Sequence, residues 1–69
     1  MYDTFESFVA AIEPNLRRAL AGHVDVELVP DALAEAFGYA WQHWSRVRAM
    51  DNPAGYLFRV GQSRSRTIR

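Results

Sequence analysis

The sequence predicts a small all-α domain of three to four helices. Three observations predict it. Apolar residues recur at three- and four-residue steps in separate stretches, Pro and Gly stand where helices start and stop, and no segment carries a strand signal. With 69 residues, 49% of them hydrophobic and 13% aromatic, the chain has enough apolar material for one modest core. Residues 1–69 are expected to form a single domain, since no low-complexity tract or internal repeat divides them.

The first helix is expected to open at Asp3, with Glu6 reaching back as capping-box partner, and to carry the stripe Phe5, Phe8, Val9, Ile12, Leu16, Leu20. Pro14 falls inside that stripe and removes an amide from the helix ladder. A kink is expected there, or a break at which Pro14 opens a second short helix, before Gly22 ends the segment. A further helix begins close to Pro30, which is tolerated only in a first turn. It runs to about Trp44 with Leu33, Phe37, Ala40, Trp41 and Trp44 turned inward. On its other face Glu27, Asp31 and Glu35 recur every four residues, joined by Gly38 and Gln42, which makes an acidic stripe with a notch at the glycine.

Ser45 to Asn52 lacks helical apolar spacing and reads as a loop bearing Arg46 and Arg48. Asn52 then caps the last helix with Pro53 at its first position. Leu57, Val60, Gly61 and Ile68 face the core with Arg64 beside them. Arg59, Gln62, Ser63 and Arg66 occupy the opposite arc.

The zero net charge conceals a dipole. Residues 1–45 carry two arginines against seven carboxylates, a net of −5, whereas residues 46–69 carry six arginines against Asp51 alone, a net of +5. A basic end attracts phosphates and an acidic flank attracts a basic protein, so a bridge between nucleic acid and protein is the first functional class the arithmetic supports. All eight basic residues are arginine, the side chain suited to bidentate phosphate and base contacts.

Several other classes have little in the sequence to support them. Without cysteine there is no disulfide framework, thiolate metal site or iron–sulfur cluster. His23 and His43 lack a third ligand at metal spacing, so no metal or other cofactor is expected. Ser45, His43 and Asp51 share the letters of a catalytic triad but lack a nucleophile elbow, and the four glycines form no phosphate loop. The expectation is a protein that is not an enzyme. No apolar run reaches the ~20 residues of a membrane span and no secretion signal opens the chain, so a cytoplasmic location without membrane contact is expected.

Two stretches together point further. Asp31-Ala-Leu-Ala-Glu35-Ala-Phe37-Gly-Tyr-Ala-Trp41 resembles the D-L-V-Q-E-A-F-x-x-A-W segment of bacterial sigma factors, and Asn52-Pro-Ala-Gly-Tyr-Leu-Phe-Arg59-Val60 resembles their later N-P-x-x-W-L-Y-R-V segment. Order and spacing agree, and the resemblance to region two of an extracytoplasmic-function type sigma factor covers about residues 4–69. It implies a transcription initiation module. The helix bearing Glu27, Asp31, Ala34, Glu35 and Gly38 would dock on the clamp coiled coil of the RNA polymerase beta-prime subunit. Arg46, Arg48, Asn52, Arg59, Gln62, Ser63 and Arg66 would grip the single-stranded non-template strand of the minus-ten promoter element. Phosphate contacts would supply affinity, and the loop with Asn52 or Gln62 would supply base discrimination.

The chain departs from the family in three places. Ala34 replaces the glutamine between the two carboxylates, Ser63 and Thr67 stand where an Asn and an Asp are frequent, and region four is expected to be missing, which fits either an excised domain or a stand-alone relative. The alternative expectation is a sigma-like protein-interaction module, a decoy that occupies the clamp or an anti-sigma factor without productive DNA binding.

Overall fold

The computed structural model describes residues 3–67, with side chains described as far as Arg64. All regular structure among them is helical. Helix α1 spans Phe5–Ala21, a 3-10 turn Val26–Leu28 leads into α2 at Val29–Gln42, α3 is a single turn at Trp44–Val47, and α4 spans Pro53–Thr67. No helix among the described residues is long and apolar enough to cross a membrane.

Helix α1 starts one residue later than the capping box at Asp3 predicts. Thr4 is the N-cap: its hydroxyl accepts the Ser7 amide at 3.0 Å, and the Thr4 amide donates to Ser7 Oγ at 3.3 Å. The reciprocal pairing is a capping box, with Ser7 in the role assigned to Glu6. Of the kink or break expected at Pro14, the break does not occur, and α1 runs through the proline as one 17-residue helix. Pro14 and Ala10, whose carbonyl loses its amide partner, are both exposed residues, so water can satisfy the gap without disturbing the buried side. That side is Phe8, Ile12, Leu16 and Leu20, each at most 7% exposed. Gly22 closes the helix as predicted, its amide reaching Ala19 O at 3.2 Å in a right-handed conformation.

Helix α2 opens with Pro30 in its first turn and Asp31 beside it, where a carboxylate complements the helix dipole. Its buried stripe is Val29, Ala32, Leu33, Ala36 and Ala40. Leu33 and Ala40 are as expected, and Phe37 is half-buried. Trp41 is a correction. It is 63% exposed, with one side of its ring 5.1 Å from Phe5, because it sits roughly a third of a turn from the centre of the alanine stripe. Trp44 does pack inward, 4.9 Å from the Phe8 ring and 5.2 Å from Phe5, but it belongs to α3, since α2 stops at Gln42.

The segment expected to be a loop therefore holds a helical turn. Val47, at its end, is fully buried in the core. One apolar residue per turn is too little periodicity to register in sequence, yet it pins the connection between α2 and α4.

Helix α4 begins where Asn52 and Pro53 place it, and Leu57 is fully buried. Gly61 is buried against α2 and α1. A Cβ built there would stand 3.1 Å from the Ala32 carbonyl oxygen and 3.4 Å from a Leu20 methyl. Ala32, Ala36 and Ala40 are all 0% exposed, so the two helices meet through small residues. Ile68 and Arg69 lie outside the described residues.

This contact predicts a steric penalty. Gly61→Ala would set the helix propensity gain of about 1 kcal/mol against a tight contact, but Gly61→Val adds two methyl groups that the Ala32 backbone cannot avoid. The Val variant should lose about 1–3 kcal/mol in urea denaturation, and a variant as stable as the parent would show that α2 and α4 do not approach this closely.

Candidate functional site

Two surfaces need to be built up, one acidic on α2 and one basic at the α3–α4 end. On α2 the helical period puts Asp31, Ala34, Glu35, Gly38 and Gln42 along one side, away from the alanine stripe. Asp31, Ala34, Gly38 and Gln42 are exposed and Glu35 is half-buried. A Cβ at Gly38 would meet nothing within 4 Å, so the notch predicted there opens outward. It forms a shallow concavity of about 240 Å³ lined by Ala34, Glu35, Gly38, Tyr39, Gln42 and Arg64.

Glu27 does not belong to this helical row. It lies in the 3-10 turn before α2, exposed, so the regular four-residue stacking with Asp31 is lost. The reason is the turn's tighter winding, about 3 residues per turn against 3.6.

Glu35 is engaged from within. Arg64 Nη1 donates to Glu35 Oε1 at 3.2 Å, with both side chains nearly half exposed, and the same guanidinium lies 5.5 Å from the Tyr39 ring centroid. Arg64, expected beside the core-facing arc, instead joins the acidic face of α2 to the basic end of α4. An exposed pair of this kind contributes at most about 1 kcal/mol, so it orients the two side chains without locking them.

The basic surface is organised by two tyrosines, Tyr39 and Tyr56. Arg46 Nη2 donates to Tyr39 Oη at 2.8 Å, and the Tyr39 and Tyr56 hydroxyls are 2.8 Å apart in a shared hydrogen bond. One chain of contacts thus links α3, α2 and α4. His43 adds a ring contact with Tyr39 at 4.3 Å between centroids. Each tyrosine comes from a different sigma-like segment, and only the fold brings them together. The hydrogen bond with Tyr39 holds the Tyr56 phenol above its ordinary pKa, aided by desolvation and by the repulsion of a second phenolate, while Arg46 acts in the opposite direction.

The other predicted contacts are distributed around this group. Arg48 lies over the Trp44 ring at 5.8 Å, within the range of a cation–π contact. Arg59 and Ser63 are exposed on α4 and Gln62 is half-buried. The Arg66 side chain lies outside the described residues. Asn52 Oδ1 accepts the Gly55 amide at 3.1 Å, so this oxygen serves as the helix cap. Gly55 is required for that closeness, since a Cβ there would stand 2.5 Å from Asn52 Nδ2. No three His, Asp or Glu side chains converge into a metal-binding group among the described residues.

Comparison with protein-family models, curated proteins and solved structures gives no match for the chain.

Two outcomes follow from this geometry. Asn52→Ala should remove a cap worth about 1 kcal/mol, lowering the melting temperature, whereas an unchanged melting curve would misplace the start of α4. In an alkaline spectrophotometric titration Tyr56 should ionise above the range of free tyrosine, and Tyr39→Phe should return it toward that range. Because the folded state holds this proton more tightly than the unfolded chain, the associated stability is complete below the ordinary phenol pKa and is lost as pH rises through the raised value. A wild-type titration indistinguishable from free tyrosine would contradict the Tyr39–Tyr56 bond.

Proposed function

We propose that the chain is a sigma region-two type module that docks on the clamp of RNA polymerase through α2 and contacts single-stranded minus-ten promoter DNA through α3, the α3–α4 connection and α4. The observation that carries this reading is the pairing of the two motif segments. They form α2 and α4, which pack together through Ala32 and Gly61. Away from that seam, α2 bears the exposed Asp31, Ala34 and Gly38, and the following elements bear the exposed Arg46, Arg48 and Arg59.

The chemistry of each surface supports the assignment. A carboxylate face with an open notch suits a basic helix approaching closely. The arginines, with Trp44 under Arg48 and the tyrosine pair beside Arg46, combine cations and aromatic rings as single-strand grooves do. Nothing in this scheme asks the module for a chemical step or a cofactor, and it operates where polymerase and promoter meet.

The test treats the two surfaces separately. Asp31→Lys places a like charge against a basic coiled coil and should cost about 2 kcal/mol or more of affinity for an isolated clamp helix pair, while lost dipole complementarity costs the fold only about 0.3–1 kcal/mol. Glu35→Lys is the poorer probe, because it would also repel Arg64. For DNA, a fluorescent non-template oligonucleotide should bind with a salt dependence that falls by about 0.7 in slope for each phosphate-contacting arginine replaced by Ala, with Arg46 and Arg59 as the positions to change. A minus-ten-like strand should be preferred to a scrambled one when the clamp is bound. Clamp binding without strand preference or arginine-dependent salt slope would replace the promoter-reading module by a decoy, and the same surface would then serve an anti-sigma factor or the clamp alone.

A further inference from the structure

The two tyrosine hydroxyls that join α2 to α4 can be counted proton by proton. A phenol carries one O–H donor, so Tyr39 and Tyr56 bring two protons to their shared bond, and that bond of 2.8 Å uses one. Arg46 adds donors and no acceptor, its Nη2 giving a hydrogen bond to Tyr39 Oη at 2.8 Å. One O–H is left over whichever way the shared bond runs. If Tyr39 donates to Tyr56, the Tyr56 proton is unclaimed, and if Tyr56 donates to Tyr39, the Tyr39 proton is. Neither hydroxyl has a further acceptor among the described residues.

The surroundings of this proton are donors and positive charge. Tyr39 and Tyr56 are half-buried and Arg46 is exposed, so the surplus O–H and the guanidinium are reached from solvent together. No carboxylate pairs with Arg46 among the described residues. Arg64, 5.5 Å from the Tyr39 ring centroid, is partnered by Glu35, which leaves two guanidiniums against one carboxylate. Arg59 is exposed three residues after Tyr56, on the same side of α4. A site built of O–H and N–H groups takes a ligand oxygen that only accepts, and the local charge favours an anionic one. Base edges mix donors with acceptors, whereas a phosphodiester oxygen only accepts.

We infer that Tyr39, Tyr56 and Arg46 form a phosphate site for the backbone of a single strand, in which one phosphodiester accepts both the surplus tyrosine proton and the Arg46 guanidinium. The inference rests on the strand binding proposed above and adds two hydroxyls to the arginines named there. The phosphate competes with the Tyr39 oxygen for the Arg46 donors, so the hydroxyl pair loses a donor and gains an acceptor. Arg46 alone could hold a phosphate in many poses. Two hydroxyls anchored on α2 and α4 select one, which fixes the register of the strand without reading its sequence.

The experiment uses the full chain and a fluorescent non-template oligonucleotide at low salt, in minus-ten-like and scrambled versions. Replacing both partners of a hydrogen bond by apolar groups of the same shape is close to neutral for a fold, so the double variant Tyr39→Phe, Tyr56→Phe should keep the parent's circular dichroism. Its affinity for both strands should fall about tenfold. Each single Phe variant keeps one hydroxyl with a free proton and should lose no more than about threefold. A neutral methylphosphonate linkage, walked along the strand, should at one position cost the parent about tenfold and cost the double variant almost nothing. Arg46→Ala, an exposed change, should silence the same linkage and reads the site with the tyrosines in place. Additive effects at every linkage, or a double variant with the parent's affinity, would each overturn the inference. Inorganic phosphate that shifts the tyrosine ring NMR signals while the linkage effects stay additive would also overturn it, by making a free ion the occupant. A clamp-bound chain that prefers the minus-ten-like strand with both tyrosines dispensable would remove this site and leave the proposed function intact. Linkage coupling to the tyrosines in a chain that neither holds the clamp nor prefers that strand would do the reverse.

Discussion

The close approach of α4 to α2 is the constraint from which the rest of the structure follows, because a chain of 69 residues has only one core to assemble. A Cβ at Gly61 would press to 3.1 Å on the Ala32 carbonyl oxygen, and Ala32, Ala36 and Ala40 form a fully buried strip of small residues on α2. With the helices this close, backbone dispersion replaces bulky side chains at the seam. The large residues are displaced to its margins. Phe8, Leu16 and Leu20 of α1 fill the space on one side, and Phe5, Phe37 and Trp44 gather with Phe8 at one end of the bundle.

The same closeness determines what the polar groups can do. Tyr39 on α2 and Tyr56 on α4 bridge the two helices, their hydroxyls meeting at 2.8 Å. Arg46 from α3 and Arg64 from α4 both reach Tyr39, one through its hydroxyl and one over its ring. The charge dipole in the sequence is thus partly closed inside the molecule, with Arg64 of the basic half on Glu35 of the acidic half. Such contacts are individually weak where water has access. Their effect is to set which charges already have a partner and which, like Asp31 and Arg59, face outward.

Most of the fold was legible because the strongest signals are steric. Pro30 and the Asn52-Pro53 pair mark helix starts by chemistry that tertiary context rarely overrides, and the α1 stripe from Phe8 to Leu20 reads directly as a buried face. The failures have separate causes. Weighting the inward face of α2 toward its bulky residues turned the helix toward Trp41, when the alanines were the true marker of burial beside a glycine-bearing neighbour. Thr4 won the cap from Asp3 because Ser7 could complete the reciprocal bonds, a choice between adjacent good caps that spacing alone does not decide. Glu27 fell out of the helical row because the entry to α2 is a 3-10 turn, and Val47 entered the core from a segment too short to show a period. The site was legible only as residue types. Asp31, Arg46 and Arg59 could be assigned to charged surfaces in advance, but the tyrosine pair and the Glu35–Arg64 contact required two distant segments to be placed side by side.

A small domain also cannot keep its working surface separate from its supports. Asp31 and Arg59 are exposed and carry little of the packing, so their partners can be probed with the fold unchanged. Asn52 is different, since its side-chain oxygen already holds the first turn of α4. Arg46 is different again, since its guanidinium reaches Tyr39 and through it the α2–α4 seam. Any strand that captures Arg46 must compete with the Tyr39 hydroxyl, and losing that bond leaves the tyrosine pair without its external donor. A ligand of Arg46 would thereby act on the α2–α4 seam through Tyr39. The two ends of the charge dipole differ in this respect as well as in sign: Asp31 at the acidic end makes no side-chain hydrogen bond or ion pair among the described residues, whereas Arg46 at the basic end is already bonded to Tyr39.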